Sequence, residues 1–324
     1  MIKTNGITGI TNDDDGNIII ALRELVTGIN YVFRYDSVMN DWVEQGGPTS
    51  DNRVLGNVIS ELQSKNGVLY AYSKTTNGLF AYVDLTWKEI GSLNKPIQGL
   101  AVADDNDIYV VCNDTIHRWD GNIWNDITPG VGTFRTCAID QSERFYITVD
   151  EDGINGFKVY DNGFWITLDV SPIDASTVSK MLCYNNRLYV AGNNITTGKP
   201  VVDFWNGVTW VELKPIVTDF PFVDGLSFST LYVDVKGIYV TFINADLESQ
   251  VLRNDGINWS SIGNAIKSNT PLSGNGGYGT GFARGSDGRL YVGGYIQEID
   301  SSVSGNVARY LLAETDMRDP PPVI

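Results

Sequence analysis

A short strand-like triplet recurs seven times along the chain of 324 residues. Each copy follows a turn rich in Asp, Asn, Gly or Lys and consists of an aliphatic residue or Phe, usually a Tyr, and then a small or branched residue. Tyr occupies the middle position in six copies, and Ile19 replaces it in the first. The copies lie at residues 18–20, 69–71, 108–110, 145–147, 188–190, 238–240 and 290–292. Such an internal period constrains the fold strongly, because each unit must be one supersecondary element.

A second marker follows each of the first six triplets, in which an aromatic residue or Asn precedes a turn and a Trp. In five of the six, the first marker residue lies five residues before the Trp, and only Tyr35 lies seven before it. The marker pairs are Tyr35 and Trp42, Tyr82 and Trp87, Trp119 and Trp124, Tyr160 and Trp165, Trp205 and Trp210, and Asn254 and Trp259. The intervening DG, NG and DN dipeptides are typical of tight hairpin turns, where Gly and Asn accept a positive φ.

Each unit therefore predicts four antiparallel strands, with the triplet in the second strand, the first marker residue in the third and the Trp in the fourth. One such sheet cannot cover both of its faces. Seven sheets arranged radially cover one another, with Tyr and Trp side chains between neighbours. The sequence predicts an all-β seven-bladed β-propeller of four-stranded antiparallel blades over residues 1–317.

The last unit, LYVGGYIQEIDSSVSGNVARY at residues 290–310, resembles the repeat of Kelch and galactose-oxidase-like propellers. The shared form is LYVGG, a loop, and then N-x-A-R followed by an aromatic residue. The paired glycines occur only as Gly293 and Gly294, with Ala191 and Gly192 as a partial copy. The resemblance covers nearly the whole chain, and it implies the fold and no particular activity.

The seventh unit departs from the others at its end. Thr315 stands five residues past Tyr310, where the pattern predicts a Trp. This blade therefore either lacks its outer strand or has a degenerate one. The tail RDPPPVI, residues 318–324, is expected to be extended, because prolines donate no ladder hydrogen bonds. An open edge beside it predicts a docking point with Arg309, Pro320 and Pro321 as candidates, and a frayed blade with a disordered terminus is the alternative.

Charge and hydropathy exclude several classes of protein. With 39 Asp and Glu against 23 Lys and Arg, the net charge of −16 disfavours nucleic acid as a partner. No apolar run approaches the roughly 18 residues that cross a bilayer, so no membrane insertion is expected. The opening residues lack the apolar segment of a secretory leader, so classical export is not expected. Cys112, Cys137 and Cys183 are predicted to be unpaired, buried core residues.

Few residues offer catalytic chemistry. The resemblance to galactose oxidase would imply copper held by two histidines, but His117 is the single histidine and is expected to be packed. The same shortage argues against Ser-His-Asp and Cys-His devices. The acidic turns at residues 12–16 and 150–153 lack the ligand pattern of an EF-hand, so no metal or cofactor is predicted. We expect no enzymatic activity; a glycan hydrolase or lyase that uses carboxylates in the axial pocket is an alternative.

These observations predict a non-catalytic interaction or structural module of a larger assembly of protein subunits. Its composition of Gly, Asn, Thr and aromatics, with no export leader, favours a component of a bacteriophage virion. The alternative is a Kelch-type adaptor located in the cytoplasm. A glycan-binding adhesion module is a further alternative. Propellers bind through the loops of one face, especially those between the second and third strands. The polar candidates in these loops are Asn194, Thr196, Asn244, Asp246, Gln297 and Asp300.

Overall fold

The computed structural model describes residues 4–24, 30–36, 39, 41–45, 59–73, 78–93, 95–104, 106–213, 228–243, 248–267, 279–294, 298–299, 302–303 and 307–310. Within these ranges the strands form seven antiparallel sheets. A short 3-10 turn over Ala175–Thr177 precedes the fifth sheet. None of the described helical residues forms a helix long and apolar enough to cross a membrane.

Each sheet runs outward from the middle of the molecule in the order of the chain. The innermost strands are β1 (Thr4–Asn12), β5 (Ile59–Lys65), β9 (Ile97–Asp104), β13 (Thr133–Ile139), β17 (Lys180–Tyr184), β21 (Phe228–Asp234) and β25 (Gly279–Arg284). The second strands are β2 (Ile18–Glu24), β6 (Val68–Ser73), β10 (Asp107–Cys112), β14 (Phe145–Glu151), β18 (Arg187–Asn193), β22 (Gly237–Ile243) and β26 (Leu290–Gly294). The third strands are β3 (Asn30–Asp36), β7 (Gly78–Val83), β11 (Ile116–Trp119), β15 (Ile154–Asp161), β19 (Pro200–Trp205), β23 (Glu248–Asn254) and β29 (Val307–Tyr310). The outermost strands are β4 (Asp41–Glu44), β8 (Thr86–Ser92), β12 (Trp124–Asp126), β16 (Phe164–Thr167), β20 (Trp210–Glu212) and β24 (Trp259–Lys267).

Six of the seven sheets contain the complete four-stranded meander. The sixth sheet is extended by a hairpin of β27 (Glu298–Ile299) and β28 (Ser302–Val303), which joins it where Glu298 pairs with Lys267. The seventh sheet has three strands, β25, β26 and β29, among the described residues. The described residues therefore contain six complete four-stranded blades and not the predicted seven. In sequence, Thr315 stands where the other six units have a Trp in the outermost strand, and it lies outside the described residues.

The three-stranded sheet closes a ring. Its inner strand β25 contacts both β21 and β1, and the other innermost strands contact one another in sequence. Gly281 and Gly293 allow the close approach to β1, since a Cβ on Gly293 would lie 2.9 Å from Ile7 Cγ2. On the opposite side, Arg284 forms a 2.6 Å ion pair with Asp234 of the sixth sheet. A radial ring of outward-running antiparallel sheets is the architecture of a β-propeller.

The marker spacing is explained by direct pairing across each outer hairpin. Tyr82 lies opposite Trp87 with ring centroids 5.3 Å apart, and the other marker pairs also lie opposite each other. Tyr35 lies opposite Trp42 as well, because its turn is longer by the two extra residues. A fixed offset in sequence therefore encoded the register of the third and fourth strands.

The outer-strand Trp residues also connect neighbouring blades, as their position between sheets predicted. Four of the indole Nε1 atoms donate hydrogen bonds to backbone carbonyls in or just after the outermost strand of the preceding blade. These bonds join Trp87 to Gln45 (3.4 Å), Trp124 to Ile90 (3.3 Å), Trp165 to Ile127 (2.6 Å) and Trp210 to Asp169 (3.0 Å). Each indole therefore fixes the outer edge of one blade against the next.

We expect Trp165→Phe to lower the free energy of unfolding by about 1–2 kcal/mol, because the Ile127 carbonyl loses its donor. Urea denaturation followed by circular dichroism measures the change. Trp42→Phe is the matched control, since the Trp42 indole donates no hydrogen bond within the described residues. Equal losses in the two variants would show that the hydrogen bond between blades contributes nothing.

The Tyr residues of the triplets are buried, and Tyr109, Tyr146 and Tyr291 donate to an aspartate in or beside the first-to-second-strand turn. Tyr146 donates to Asp140 at 3.1 Å, and Tyr291 donates to Asp287 at 2.9 Å. Tyr291 packs with Ile7 and Ile10 of the first sheet. The recurring Tyr is thus an internal packing residue, as the sequence pattern indicated, and in these blades it also anchors a turn.

Candidate functional site

The innermost strands of all seven sheets surround an axial cavity of about 710 Å³. Its charged lining residues among those described are Glu61 on β5, Arg135 on β13 and Lys180 on β17. All three lie in the first half of their strands, so they are near the end of the channel at which the innermost strands begin. This end belongs to the face formed by the connections between blades and by the second-to-third-strand loops.

Glu61 and Lys180 form an ion pair across the channel. Lys180 Nζ lies 2.5 Å from Glu61 Oε1, although the residues belong to the second and fifth sheets and are 119 positions apart. Gln63 also donates to Glu61 Oε1, at 3.3 Å. Burial would lower the pKa of Lys180, but the Glu61 carboxylate outweighs burial and raises it. Lys180 is therefore held as a cation at neutral pH.

Arg135 is a second cation in the same cavity and, unlike Lys180, has no ionic partner among the described residues. Its exposed side chain donates one hydrogen bond, from Nη1 to the Ser176 carbonyl at 3.2 Å. Within the described part of the chain, no carboxylate lies within ion-pair distance of Arg135. By contrast, Arg118 pairs with Asp107 and Arg144 pairs with Asp140. Most donors of the Arg135 guanidinium therefore stay available to a molecule in the channel.

The other titratable groups of the cavity are neutral at physiological pH. Burial, reinforced by the Glu61 carboxylate, raises the pKa of Tyr72 well above its usual value. Burial likewise raises the pKa of the Cys137 thiol. Glu61 is the one carboxylate among the described lining residues. The cavity thus combines two cations, one carboxylate and several neutral hydroxyl groups.

His117 lies outside this cavity, on the third strand of the third sheet. It is half-buried, its Nε2 lies 3.2 Å from Thr115 Oγ1, and burial lowers its pKa. This position agrees with the interpretation of His117 as a packed residue. Cys112 and Cys137 are buried free thiols as predicted, whereas Cys183 is only partly buried, which corrects the third of those expectations.

The acidic turns use their carboxylates within the fold. Asp13 accepts from the backbone of Asn17 at 2.8 Å and from Arg34 Nε at 2.9 Å. Asp150 caps its own turn by accepting from the Gly153 backbone at 2.9 Å. Among the described residues, no group of three or more His, Cys, Asp or Glu side chains is placed to hold a metal ion.

A second surface feature lies at the tips of the third-to-fourth-strand hairpins, on the face opposite the charged end of the channel. Each of the six described hairpins exposes one large apolar side chain just before its Trp. We call this set the hairpin rim: Met39, Leu85, Ile123, Phe164, Val208 and Ile257. Leu85, Phe164 and Val208 are the most exposed, at 80%, 73% and 77%.

Leu85 is the unusual member of the hairpin rim. It has a φ of +62°, a conformation that disfavours residues with a Cβ. Gly121, Gly207 and Gly256 adopt positive φ in the corresponding turns, at no steric cost. The second hairpin therefore holds a leucine, exposed to solvent, in a backbone conformation suited to glycine.

The loop candidates from the sequence are only partly placed. Asn194 begins the turn after β18, where its Oδ1 accepts from the backbone of Thr196 and of Thr197, each at 3.0 Å. Its side chain is thus used to fold the loop, and Thr196 is exposed at the tip. Arg309 lies on β29 opposite Tyr291, with only its backbone described. Asn244, Asp246, Gln297, Asp300, Pro320 and Pro321 lie outside the described residues.

Sequence reasoning named an axial pocket only for the alternative hydrolase or lyase and identified none of its charged residues, and it missed the hairpin rim. The rim had a readable signal, since an apolar residue stands one to three positions before each marker Trp. The cavity had none, because its charged residues come from three blades that are distant in sequence.

No protein-family model and no curated protein matches this sequence. Solved structures do match it over most of its length. The extracellular domain of a putative hybrid two-component system from B. thetaiotaomicron aligns with 95% of this chain at 11% identity and a TM-score of 0.62. A GH74 xyloglucanase from Xanthomonas campestris also aligns with 95% of this chain, at 14% identity and a TM-score of 0.63. The propeller domain of the Trilobed protease from Pyrococcus furiosus aligns with 79% of this chain at 11% identity and a TM-score of 0.55.

These similarities establish the fold class, and the chain is a β-propeller. It spans 38% of the length of the two-component-system domain, 55% of the xyloglucanase and 83% of the protease propeller. At such low identity the similarity shows the fold alone. The function must therefore be argued from this chain's own surfaces.

Proposed function

We propose that this chain is a non-catalytic β-propeller that acts as an interaction module of a larger protein assembly, with the hairpin rim as its contact surface. The observation that carries the proposal is the exposure of one large apolar side chain at every described hairpin tip. Single exposed apolar residues are ordinary on protein surfaces. Six at the tips of equivalent hairpins, each one to three residues before the marker Trp, form a pattern, and interaction surfaces are where such apolar exposure is expected.

Leu85 strengthens this proposal because it does not help the fold. A residue with a Cβ at positive φ costs about 1–2 kcal/mol, and an exposed side chain recovers little of that by burial. Asp84, Asp120, Asp161 and Asp255 stand in the same turns, so the rim is acidic as well as apolar. The partner surface should therefore combine apolar groups with basic side chains.

The cavity supports a non-catalytic role. Glycoside hydrolysis needs two carboxyl groups that flank the scissile bond. Glu61 is the one carboxylate on the described part of the lining, and it is engaged by Lys180 and Gln63. The neutral Cys137 thiol offers no ready nucleophile.

For the assembly itself we propose a bacteriophage virion. A composition rich in Gly, Asn, Thr and aromatic residues is consistent with a structural virion protein, and Gly alone accounts for 34 of the 324 residues. Mass spectrometry of gradient-purified particles should find the chain at a fixed stoichiometry. If the chain is absent from particles and cross-linking instead finds it in a cytoplasmic complex, the virion proposal is wrong. The proposal that the chain is an interaction module would then still hold.

The hairpin rim makes a prediction that separates binding from folding. Leu85→Gly should raise the free energy of unfolding by about 1 kcal/mol, because the strained backbone is relieved. The same variant, combined with Phe164→Ser and Val208→Ser, should reduce recovery of cross-linked partner subunits from the native assembly. Chemical denaturation measures the first effect and quantitative cross-linking mass spectrometry measures the second.

Val170→Ser is the control for this experiment, because Val170 is 93% exposed but lies outside the hairpin rim. It should change neither stability nor partner recovery. If the triple variant recovers partners as well as the wild type does, the rim is not the contact surface. If Leu85→Gly is less stable than the wild type, the strain argument is wrong.

A further inference from the structure

We propose that the axial cavity binds a small hydroxylated monocarboxylate of the hexuronic-acid type, held by the guanidinium of Arg135 and the ammonium of Lys180. The site lies at the end of the channel opposite the hairpin rim. It is thus a ligand site in addition to the proposed assembly surface, and each can fail without the other.

The charge of the lining is the first argument. Two cations face one carboxylate in the described lining, although the chain as a whole carries a net charge of −16. Arg135 has no ionic partner among the described residues, and its planar fork of donors matches a carboxylate in two-point geometry. Arg135 and Lys180 stand on β13 and β17, which contact each other, so both cations are on one side of the cavity.

The existing ion pair indicates the ligand's charge. Lys180 Nζ already lies 2.5 Å from the Glu61 carboxylate, so one of the two positive charges of the lining is balanced within the protein. Glu61 would repel a second anion in proportion to that anion's charge. A monoanion balances the excess of one positive charge, whereas a doubly charged phosphate ester would overcompensate it.

The size and the neutral lining indicate the rest of the ligand. A cavity of about 710 Å³ lies within the range of roughly 300–1,000 Å³ that small-molecule sites occupy. Thr8, Thr136 and Thr230 supply hydroxyl groups, and Tyr232 and Phe282 supply aromatic rings. Hydroxyl groups of a sugar acid can exchange hydrogen bonds with the threonines while its apolar C–H surface lies against a ring.

Isothermal titration calorimetry of the full chain with D-glucuronate and D-galacturonate tests the proposal, with glucose and galactose as neutral counterparts. We expect at least one uronate to bind, and its neutral counterpart to bind about tenfold more weakly or not at all. Arg135→Gln should weaken uronate binding about tenfold, since a charged two-point contact is lost. Arg289→Gln removes the same charge from an exposed pair outside the cavity and should leave binding unchanged.

For Glu61→Gln we expect the opposite change in uronate affinity. It releases Lys180 from its internal carboxylate, so uronate binding should strengthen about threefold to tenfold. Near-ultraviolet circular dichroism checks that each variant is folded. Because the Arg135 side chain is exposed, Arg135→Gln is the variant less prone to disturb the fold. The proposal is overturned if neither uronate binds at ~10 mM, if a neutral sugar binds equally well, or if Arg135→Gln binds as the wild type does.

Discussion

Replacing Asp140 with Ala should lower the free energy of unfolding by about 3–4 kcal/mol. The Asp140 side chain is 0% exposed and accepts four hydrogen bonds from its own turn and from the start of β14. Its donors are the backbones of Ser142 (2.9 Å) and Arg144 (3.0 Å), Arg144 Nε (2.7 Å) and the Tyr146 hydroxyl (3.1 Å). Alanine leaves the buried Tyr146 hydroxyl and the Arg144 guanidinium without this acceptor, and unsatisfied buried donors carry their full desolvation cost.

Asp287→Ala is the matched control for Asp140→Ala, because Asp287 occupies the corresponding turn of the seventh sheet. It accepts from the Arg289 backbone at 3.0 Å and from Tyr291 at 2.9 Å, but its side chain is 34% exposed. Water replaces the lost acceptor there, so we expect a cost of about 1 kcal/mol. Urea titrations of both variants give the comparison. Equal costs would show that burial of the turn aspartate does not determine its contribution.

Asp203→Asn should stabilise the protein at pH 8 by about 2–4 kcal/mol and should remove a pH dependence of stability. Asp203 is 0% exposed on β19, and its Oδ2 has no hydrogen-bond partner within the described residues. Burial, only partly offset by a 3.4 Å hydrogen bond from the Leu213 backbone, raises the pKa of Asp203 from 3.8 to about 7. At 1.36 kcal/mol for each pH unit, that rise corresponds to about 4 kcal/mol.

The sign follows from where the proton is held. Between pH 4 and 7 the folded protein keeps the Asp203 proton while the unfolded chain has released it, so stability falls as pH rises through this window and levels off above about 7. His117, whose pKa burial lowers, contributes in the opposite direction below its usual value. Comparing variant with wild type at each pH cancels the His117 contribution.

Denaturation midpoints from pH 4 to pH 8 measure the difference. Asp169→Asn is the control, because Asp169 is exposed and the exchange makes the same change in net charge. The two curves for Asp203→Asn and the wild type should converge near pH 4 and separate by pH 8. Parallel curves over this range would show that Asp203 is ionised in the folded protein at acidic pH.

The blade architecture followed from the sequence because it depends on local pairing. The hairpin turns and the marker spacing set the register of Tyr82 against Trp87 and of Tyr160 against Trp165, within a few residues of chain. The alternation of apolar and polar residues then determined which faces pack between blades. The number of complete blades was wrong, because the described residues contain six four-stranded meanders.

The candidate site followed from the sequence much less well. The loop residue Asn194 was chosen for its polarity, but its side chain folds its own turn. Asp203 stands at a repeat position that Phe33, Phe80 and Leu252 occupy in other blades, and nothing local shows that its carboxylate would be buried without a partner for Oδ2. Burial of a polar group depends on the neighbouring blade, which local patterns do not describe.

The amino-acid sequence by itself determined the repeating antiparallel unit, its hairpin registers and the packing role of its Tyr and Trp residues, since all of these arise from turn chemistry and side-chain alternation within some 50 residues or fewer. Only the tertiary structure decided which innermost residues meet at the axis. Glu61 and Lys180 are 119 positions apart, and Arg135 comes from a third blade. Ring closure brings them together, and the number and tilt of all the sheets set that geometry rather than any single repeat.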